Sequence, residues 1–331
     1  MTRPPTRRGT RRRTAVWAAV GAVLVLVLLS LLRSCQPPPT VTVVAAGDMA
    51  CDVTDPSGRA SGSAATDQCQ AQRVSDVAMG LHPDLLLGLG DYQYEVPAAS
   101  AYRDVYGPGW GRLRDVTIPA IGNQEYKVHD ANTFHDYFGE RSGPDSGYWS
   151  TDVGAWHVVV LNSNCTTVKG GCRAGSPQQR WLEADLAASD ARCTVALMHH
   201  PRWSNGIAGP DTRLADLVDT LVGHGVDLML SGHEADYERF AARDAQGRPS
   251  ATGIVQMVAG NAGQAHYLPG QGAASWRATA RGPAGAYFDG RHHGVLALTL
   301  RPDGWDWSYR ALTGRTGTAT AVADSGRAAC H

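Results

Sequence analysis

The sequence predicts an α/β fold preceded by one N-terminal transmembrane helix. Short apolar runs alternate with stretches of helical periodicity, and five of the runs stop at glycine or methionine followed by a polar residue. Composition agrees: 38 glycines and 18 prolines in 331 residues, with 43% hydrophobic content, suit a loop-rich chain that still has a sizeable core. In open α/β sheets, chemistry gathers at the carboxyl ends of such strands.

The head of the chain reads separately from the rest. Six arginines stand in residues 1–13, and Thr14 to Leu32 is a stretch of nineteen uncharged, mostly apolar residues. At ~1.5 Å per residue such a helix crosses a hydrocarbon core of ~30 Å. Arginine in front places the basic N-terminus in the cytoplasm and the body outside. The reading is a cell-membrane protein with a single-pass anchor at 14–33; secretion after signal cleavage is the alternative. Residues 34–40, with Pro37-Pro38-Pro39, form a stiff linker. Behind Gln36 the chain carries 23 basic against 31 acidic residues, a net of −8. An acidic body excludes a nucleic-acid partner, whose backbone needs a basic face.

In order, Val41 to Ala46 reads as a strand ending at Gly47-Asp48, and a helix follows from about Thr66 to Met79. Leu85 to Leu89 is the next strand and ends at Gly90-Asp91; Val116 to Ile121 ends at Gly122-Asn123. Tyr148–Thr151 and Trp156–Leu161 flank a hairpin signal. Ser176-Pro177-Gln178-Gln179 opens a helix: serine caps, proline takes the first turn, and Gln179 completes a capping box. Cys193 to Met198 is a strand ending at His199-His200-Pro201, and an amphipathic helix runs from Asp211 to Val222. Val226 to Leu230 is a strand ending at Gly232-His233. Ile254–Ala259 and the hairpin Val295–Leu300 with Trp305–Ala311 complete the strands. Gly260 to Gly290 reads as a long loop, and the tail 313–331 as weakly structured, so the domain spans 41–312.

Six of the seven cysteines lie in the body behind the linker, an even number that fits disulfides in an oxidising compartment. Six cysteines permit fifteen connectivities. Proximity favours Cys51–Cys69 and Cys165–Cys172, leaving Cys193–Cys330.

Five strand ends thus present Asp48, Asp91, Asn123, His199 and His233. Any one of them alone could be a turn or cap residue. Together, hard oxygen donors and imidazoles on one sheet edge suit first-row metal ions, and an aspartate shared by two ions makes a site that activates water against phosphate esters. Other chemistries lack their motifs: Gln93 stands where a dinucleotide fingerprint after Gly88 needs its third glycine, and no Gly-x-Ser-x-Gly occurs.

The ordered motifs Gly47-Asp48, Gly90-Asp91-Tyr92-Gln93-Tyr94, Gly122-Asn123-Gln124-Glu125, His199-His200-Pro201 and Gly232-His233 resemble the calcineurin-like metallophosphoesterases, most closely the purple acid phosphatase-like branch. The resemblance spans about Val41 to Ala311. It implies two packed mixed β-sheets flanked by helices, a four-layer sandwich. It implies two divalent or trivalent ions, iron with zinc, manganese or a second iron. Asp91 would bridge them; Asp48 and Tyr94 would bind the first, and Asn123, His199 and His233 the second. Asp91, Asn123 and His199 would serve catalysis, Asn123 and Gln124 would meet the substrate, and His200 would occupy a variable, non-ligand position. The implied reaction is hydrolysis of a small-molecule or macromolecular phosphate ester by metal-bound hydroxide.

Three departures qualify the match. Gln124 stands where the family places a phosphate-contacting histidine, Ala235 where it places a first-metal ligand, and Ala208 where relatives often carry another histidine. The first-metal site is therefore expected to be weak and turnover slow, or the chain acts as an extracytoplasmic binding protein. His129 and His135 read as surface-loop histidines.

Overall fold

The computed structural model describes residues 40–52, 69–265, 279–281, 287–314 and 316–331. The segment 14–33 and the expected helix start at Thr66 lie outside the described residues. Among the described residues no helix is long and apolar enough to cross a membrane.

The chain lays down β1 (Val41–Ala46), β2 (Leu85–Gly88) and β3 (Thr117–Pro119), then the hairpin β4 (Trp149–Val153) and β5 (Trp156–Val160). Next come β6 (Cys193–Leu197), β7 (Leu228–Ser231), β8 (Tyr237–Arg239) and β9 (Val255–Ala259). The last are β10 (Thr279–Arg281), β11 (Tyr287–Asp289), β12 (Gly294–Arg301), β13 (Gly304–Leu312) and β14 (Thr320–Ala329). They form two mixed sheets, a six-stranded one ordered β14-β13-β12-β1-β2-β3 and an eight-stranded one ordered β10-β11-β8-β9-β7-β6-β5-β4. β1, β2 and β3 are mutually parallel, as are β5, β6, β7 and β9.

Side chains of a strand alternate between faces, and that alternation builds the layers. Val43 and Ala45 of β1 enter the core between the sheets, with Val195, Leu197, Leu228 and Leu230 opposite. Val44 and Ala46 turn outward onto Val74 and Ala78 of the helix Ala71–Gly80. On the other sheet, Val159, Ala196 and Met229 turn outward onto Leu182 and Leu217, which belong to the helices Pro177–Ala188 and Ala215–Gly223. The result is helices, sheet, sheet, helices. Both faces of the central strands are covered, which is why they read as unbroken apolar runs. Truncating Leu87, fully buried between the sheets, to alanine would cost about 2–5 kcal/mol.

The helix Pro177–Ala188 starts on Ser176, whose hydroxyl accepts from the Gln179 amide at 3.1 Å. The Gln179 side chain reaches the Gly175 amide, one residue before the position a capping box requires. The helix expected from Asp211 begins as a 3₁₀ turn, Thr212–Leu214, capped by Asp211, before Ala215–Gly223.

Two expectations are corrected. The supposed loop Gly260–Gly290 contains β10 and β11, and β11 pairs with β8, a three-residue strand too short to show a pattern. The tail read as weakly structured contains β14, a ten-residue partner of β13. Its small and polar residues give no apolar signal because it is held by backbone pairing and by Asp324. That carboxylate accepts from Arg239 Nε at 2.7 Å, the Tyr237 hydroxyl at 2.8 Å and Trp307 Nε1 at 3.1 Å. Disulfides join Cys51 to Cys69, Cys165 to Cys172 and Cys193 to Cys330, so β14 is also pinned to the start of β6.

Candidate metal centre

The carboxyl ends of β1, β2, β6 and β7 meet at one edge of the sandwich. Asp48 follows β1 and Asp91 follows β2, and both adopt left-handed backbone conformations, φ 57° and 53°; His233, after β7, has φ 72°. Non-glycine residues hold this region only at a cost of about 1–3 kcal/mol each, when surrounding contacts over-determine it. Here the contacts are visible. The His233 amide donates to Asp48 Oδ2 at 2.7 Å, and the Gln124 amide to Asp91 Oδ1 at 2.8 Å.

Two glycines make the approach possible. A Cβ on Gly122 would stand 2.2 Å from Asp91 Oδ1, and one on Gly90 would stand 2.6 Å from His199 Nδ1.

Glu125 carries the scaffold beneath Asp91. Its carboxylate accepts from the amides of Gly122 (2.9 Å), Asp91 (3.0 Å) and Tyr92 (3.0 Å), and from the Tyr102 hydroxyl (3.3 Å). Burial, with Asp91 adding to it, raises its pKa to about 7. Tyr92 and Tyr102 continue into a buried aromatic cluster with Tyr106, Phe134, Tyr137 and Phe138.

At the rim of this scaffold the polar groups converge. The Tyr94 hydroxyl lies 2.6 Å from Asp48 Oδ1 and 2.8 Å from Asp91 Oδ2. His199 Nδ1 donates to the Leu89 carbonyl at 2.8 Å, which turns Nε2 inward. That Nε2 stands 3.0 Å from Asn123 Oδ1, 3.3 Å from Asp91 Oδ2 and 3.2 Å from His233 Nδ1. Asp48, Asp91 and His199 offer ligand atoms within 4.8 Å of one another, and so do His199, His200 and His233.

Electrostatically the edge is a set of buried groups that act on one another. Burial raises Asp48 well above the ordinary carboxylate range; it acts on Asp91 too, but His199 outweighs it and holds Asp91 below that range. His199 is pushed down by burial and up, to about 9, by Asp91 and Asp48. Burial and the His199 charge lower His233 to about 4. Two buried carboxylates and three imidazoles thus crowd one edge, a set that a cation satisfies.

The donor chemistry fits metal ions. Asn123, His199 and His233 place a carbonyl oxygen and imidazole nitrogens around one point, with Asp91 alongside; Asp48, Asp91 and Tyr94 supply three oxygens at the other. The Gln124 Oε1 atom is buried with no hydrogen-bond partner among the described residues.

His200 sits inside the imidazole cluster, its ring 4.4 Å from that of His233. Its amide donates to Ser163 Oγ at 2.8 Å, and its Nδ1 lies 2.9 Å from the same hydroxyl. Glu234 grips a loop. It accepts from the Ala208 amide (3.1 Å), the Gly209 amide (2.7 Å) and the Ser204 hydroxyl (3.2 Å). Glu238 holds Ser204 and Asn205 of the same loop. Ala208 is thus fixed by its backbone. His129 is exposed beside Asp130, and His135 is half-buried against Ser142, so neither is among the bonded partners of the centre.

Glu125, Glu234 and Glu238 were not singled out as scaffold by sequence reasoning, although all three lie in the quoted motifs or beside them. The available signal was an acid inside or beside each buried motif.

Residues 41–237 match the family described as calcineurin-like phosphoesterase. Purple acid phosphatase 22 of Arabidopsis thaliana is 27% identical over 199 residues, 52% of this chain and 44% of that protein. Acid phosphatase type 7 of Homo sapiens is 26% identical over 189 residues, 50% and 42% of the two chains. Among solved structures, the purple acid phosphatase from yellow lupin (Lupinus luteus) seeds superposes with a TM-score of 0.61 at 17% identity, over 88% of this chain and 54% of that one. GAP50 of Plasmodium, described as the anchor in the inner membrane complex, gives 0.58 at 12% identity, over 88% and 89%. The matched regions span less than half the length of these curated relatives.

Proposed function

The chain belongs to the calcineurin-like phosphoesterase family, and from that premise we propose that it hydrolyses phosphate monoesters or diesters. One observation carries the reading: Asp48, Asp91, Tyr94, Asn123, His199 and His233 converge on one sheet edge within hydrogen-bonding distances. Asp91 would lie between two ions, with Asp48 and Tyr94 holding the first and Asn123, His199 and His233 the second. Tyrosine in that set suits iron for the first, with zinc, manganese or iron for the second. When bound, such ions neutralise charge on the phosphoryl oxygens and lower the pKa of water.

The protein's own groups do the positioning. The Leu89 carbonyl fixes the His199 tautomer and Glu125 fixes the Asp91 backbone. Gln124 can donate a hydrogen bond to a phosphoryl oxygen through its Nε2 but has no proton to give a leaving group. Ala208 and Ala235 supply neither. One missing acid–base group costs roughly 10²–10⁴ in rate, and losses within one site need not multiply. Slow turnover follows.

The same three residues favour a second reading, an extracytoplasmic binding protein that keeps the fold without turnover. Phosphatase assays with added iron, manganese or zinc separate the two. Metal-dependent hydrolysis abolished in Asp91→Ala supports the enzyme; no hydrolysis of mono- or diesters with any metal refutes it.

The same proposal places the body outside the cytoplasm, tethered through 14–33. Three disulfides support an oxidising compartment.

A further inference from the structure

The loop after His199-His200-Pro201 leaves the metal centre and comes back to it. Glu234 and Glu238 pin its middle through Ser204, Asn205, Ala208 and Gly209. Its far end is tied to its start, because the Asp211 amide donates to the Pro201 carbonyl at 3.0 Å. Pro201 is two residues from His199, so the turn Thr212–Leu214 is held beside the imidazole cluster.

That turn presents Arg213. Asp211 Oδ1 accepts from the Arg213 amide and from its Nε, both at 2.9 Å, and Oδ2 accepts from Nη2 at 2.7 Å. The Asp211 side chain is 9% exposed and the Arg213 side chain 51% exposed, so a buried carboxylate grips one edge of a guanidinium whose other edge faces outward. Nη1 has no hydrogen bond among the described residues.

This arrangement answers a shortage described above. Gln124 and Ala208 stand where relatives carry histidines, so those positions offer a substrate anion no positive charge. A guanidinium with one edge clamped and one open is preorganised for a phosphate oxygen. We infer that Arg213 is a substrate-binding residue at the rim of the metal centre, and that its open edge takes a phosphate oxygen of the bound ester. The inference rests on the phosphoesterase reading for the identity of the ligand. Arginine keeps its proton at all working pH values, so its contribution is to binding and not to proton transfer.

The test uses the metal-loaded full chain, an aryl phosphate as substrate and inorganic phosphate as competitive inhibitor. Arg213→Ala should raise KM and the phosphate inhibition constant together, each by about 10-fold or more, with kcat within about threefold, the pattern of lost uniform binding. Arg213→Lys, which keeps the charge and loses the fork, should fall between. An ester carrying a second phosphate locates the contact. An equal KM rise for both substrates puts Arg213 on the reacting group, and a rise confined to the second puts it on the remote phosphate. KM and inhibition constant within twofold of wild type in Arg213→Ala, with both substrates, would overturn the inference and leave the phosphoesterase reading intact. Should the wild-type chain turn nothing over, calorimetric titration with inorganic phosphate still decides. Binding weakened tenfold in Arg213→Ala upholds the inference while the enzyme reading falls, and unchanged or undetectable binding refutes it.

Discussion

At each end of the parallel strands β5 and β6 a histidine lies among acids, and the two sites could hardly be used more differently. At the amino end, His157 places Nδ1 2.8 Å from Asp152 Oδ1 and Nε2 2.9 Å from Asp185 Oδ2. The Ser150 hydroxyl donates to the other Asp185 oxygen at 2.6 Å. Asp152, His157 and Asp185 line an open cleft of about 540 Å³ with Trp156 and Ser189. At the carboxyl end, His199 shares one ring nitrogen among Asn123, Asp91 and His233. A histidine with a carboxylate on each nitrogen is complete. Lone pairs crowded onto one point ask for a cation. The amino-end cleft is therefore read as a structural site, and the carboxyl end as the candidate chemical site.

Substitutions at the two ends sharpen that contrast. The largest effect is expected from Asp91→Ala, which removes the carboxylate proposed to lie between the two ions. Hydrolysis should fall by more than about 10³-fold, beyond the ~10–100-fold typical of a residue that merely orients a ligand. A smaller loss in initial-rate assays would place the shared oxygen elsewhere. Next comes Ala235→His, which puts back the imidazole that the family resemblance assigns to the first ion. Its metal content at fixed free metal should rise, with first-ion affinity up at least about 10-fold. Unchanged content by elemental analysis would mean that the carboxylate side is not limited by that position.

At the amino end the expected effects fall on stability. His157→Ala strands Asp185, whose side chain is 16% exposed, and should cost about 1–3 kcal/mol in denaturant unfolding while initial rates stay within about twofold. Loss of activity there would blur the contrast. The smallest effect is its pH dependence. Burial lowers the His157 pKa, but the hydrogen bonds to Asp152 and Asp185 outweigh it, so the folded value lies above the ordinary 6.5. The charged form is thus favoured by folding. Its extra stability is fully present below pH ~6.5 and fades as pH rises through the folded value. The gap between wild type and His157→Ala should narrow on going from acidic to alkaline solution.

Much of this was readable in the residues. Leu85–Leu89 and Cys193–Met198 announce themselves because both faces of those strands are buried, and Gly90-Asp91 marks where the chain must turn. β14 and β8 were not readable, because backbone pairing and the Asp324 cluster hold them where apolar periodicity would not. Within the centre, ligand types follow from motif order, whereas the services of Glu125 and Glu234 do not. Each collects amide donors from residues brought together only by the fold, and a glutamate in sequence gives no sign of it. Arg213 was silent for the same reason: its meaning depends on the Asp211–Pro201 tie that folds the loop back.

That Cys193–Cys330 lies at the amino end of β6 also has a geometric consequence. Val41 opens β1 at its own amino end, and β1 and β6 run toward the same edge, where Asp48 and His199 meet. A strand of β1's length is ~20 Å long. The first and last strands of the folded body therefore both leave it from the face opposite the ligands. The ligand-bearing edge thus lies a full strand length from both Val41 and Cys330.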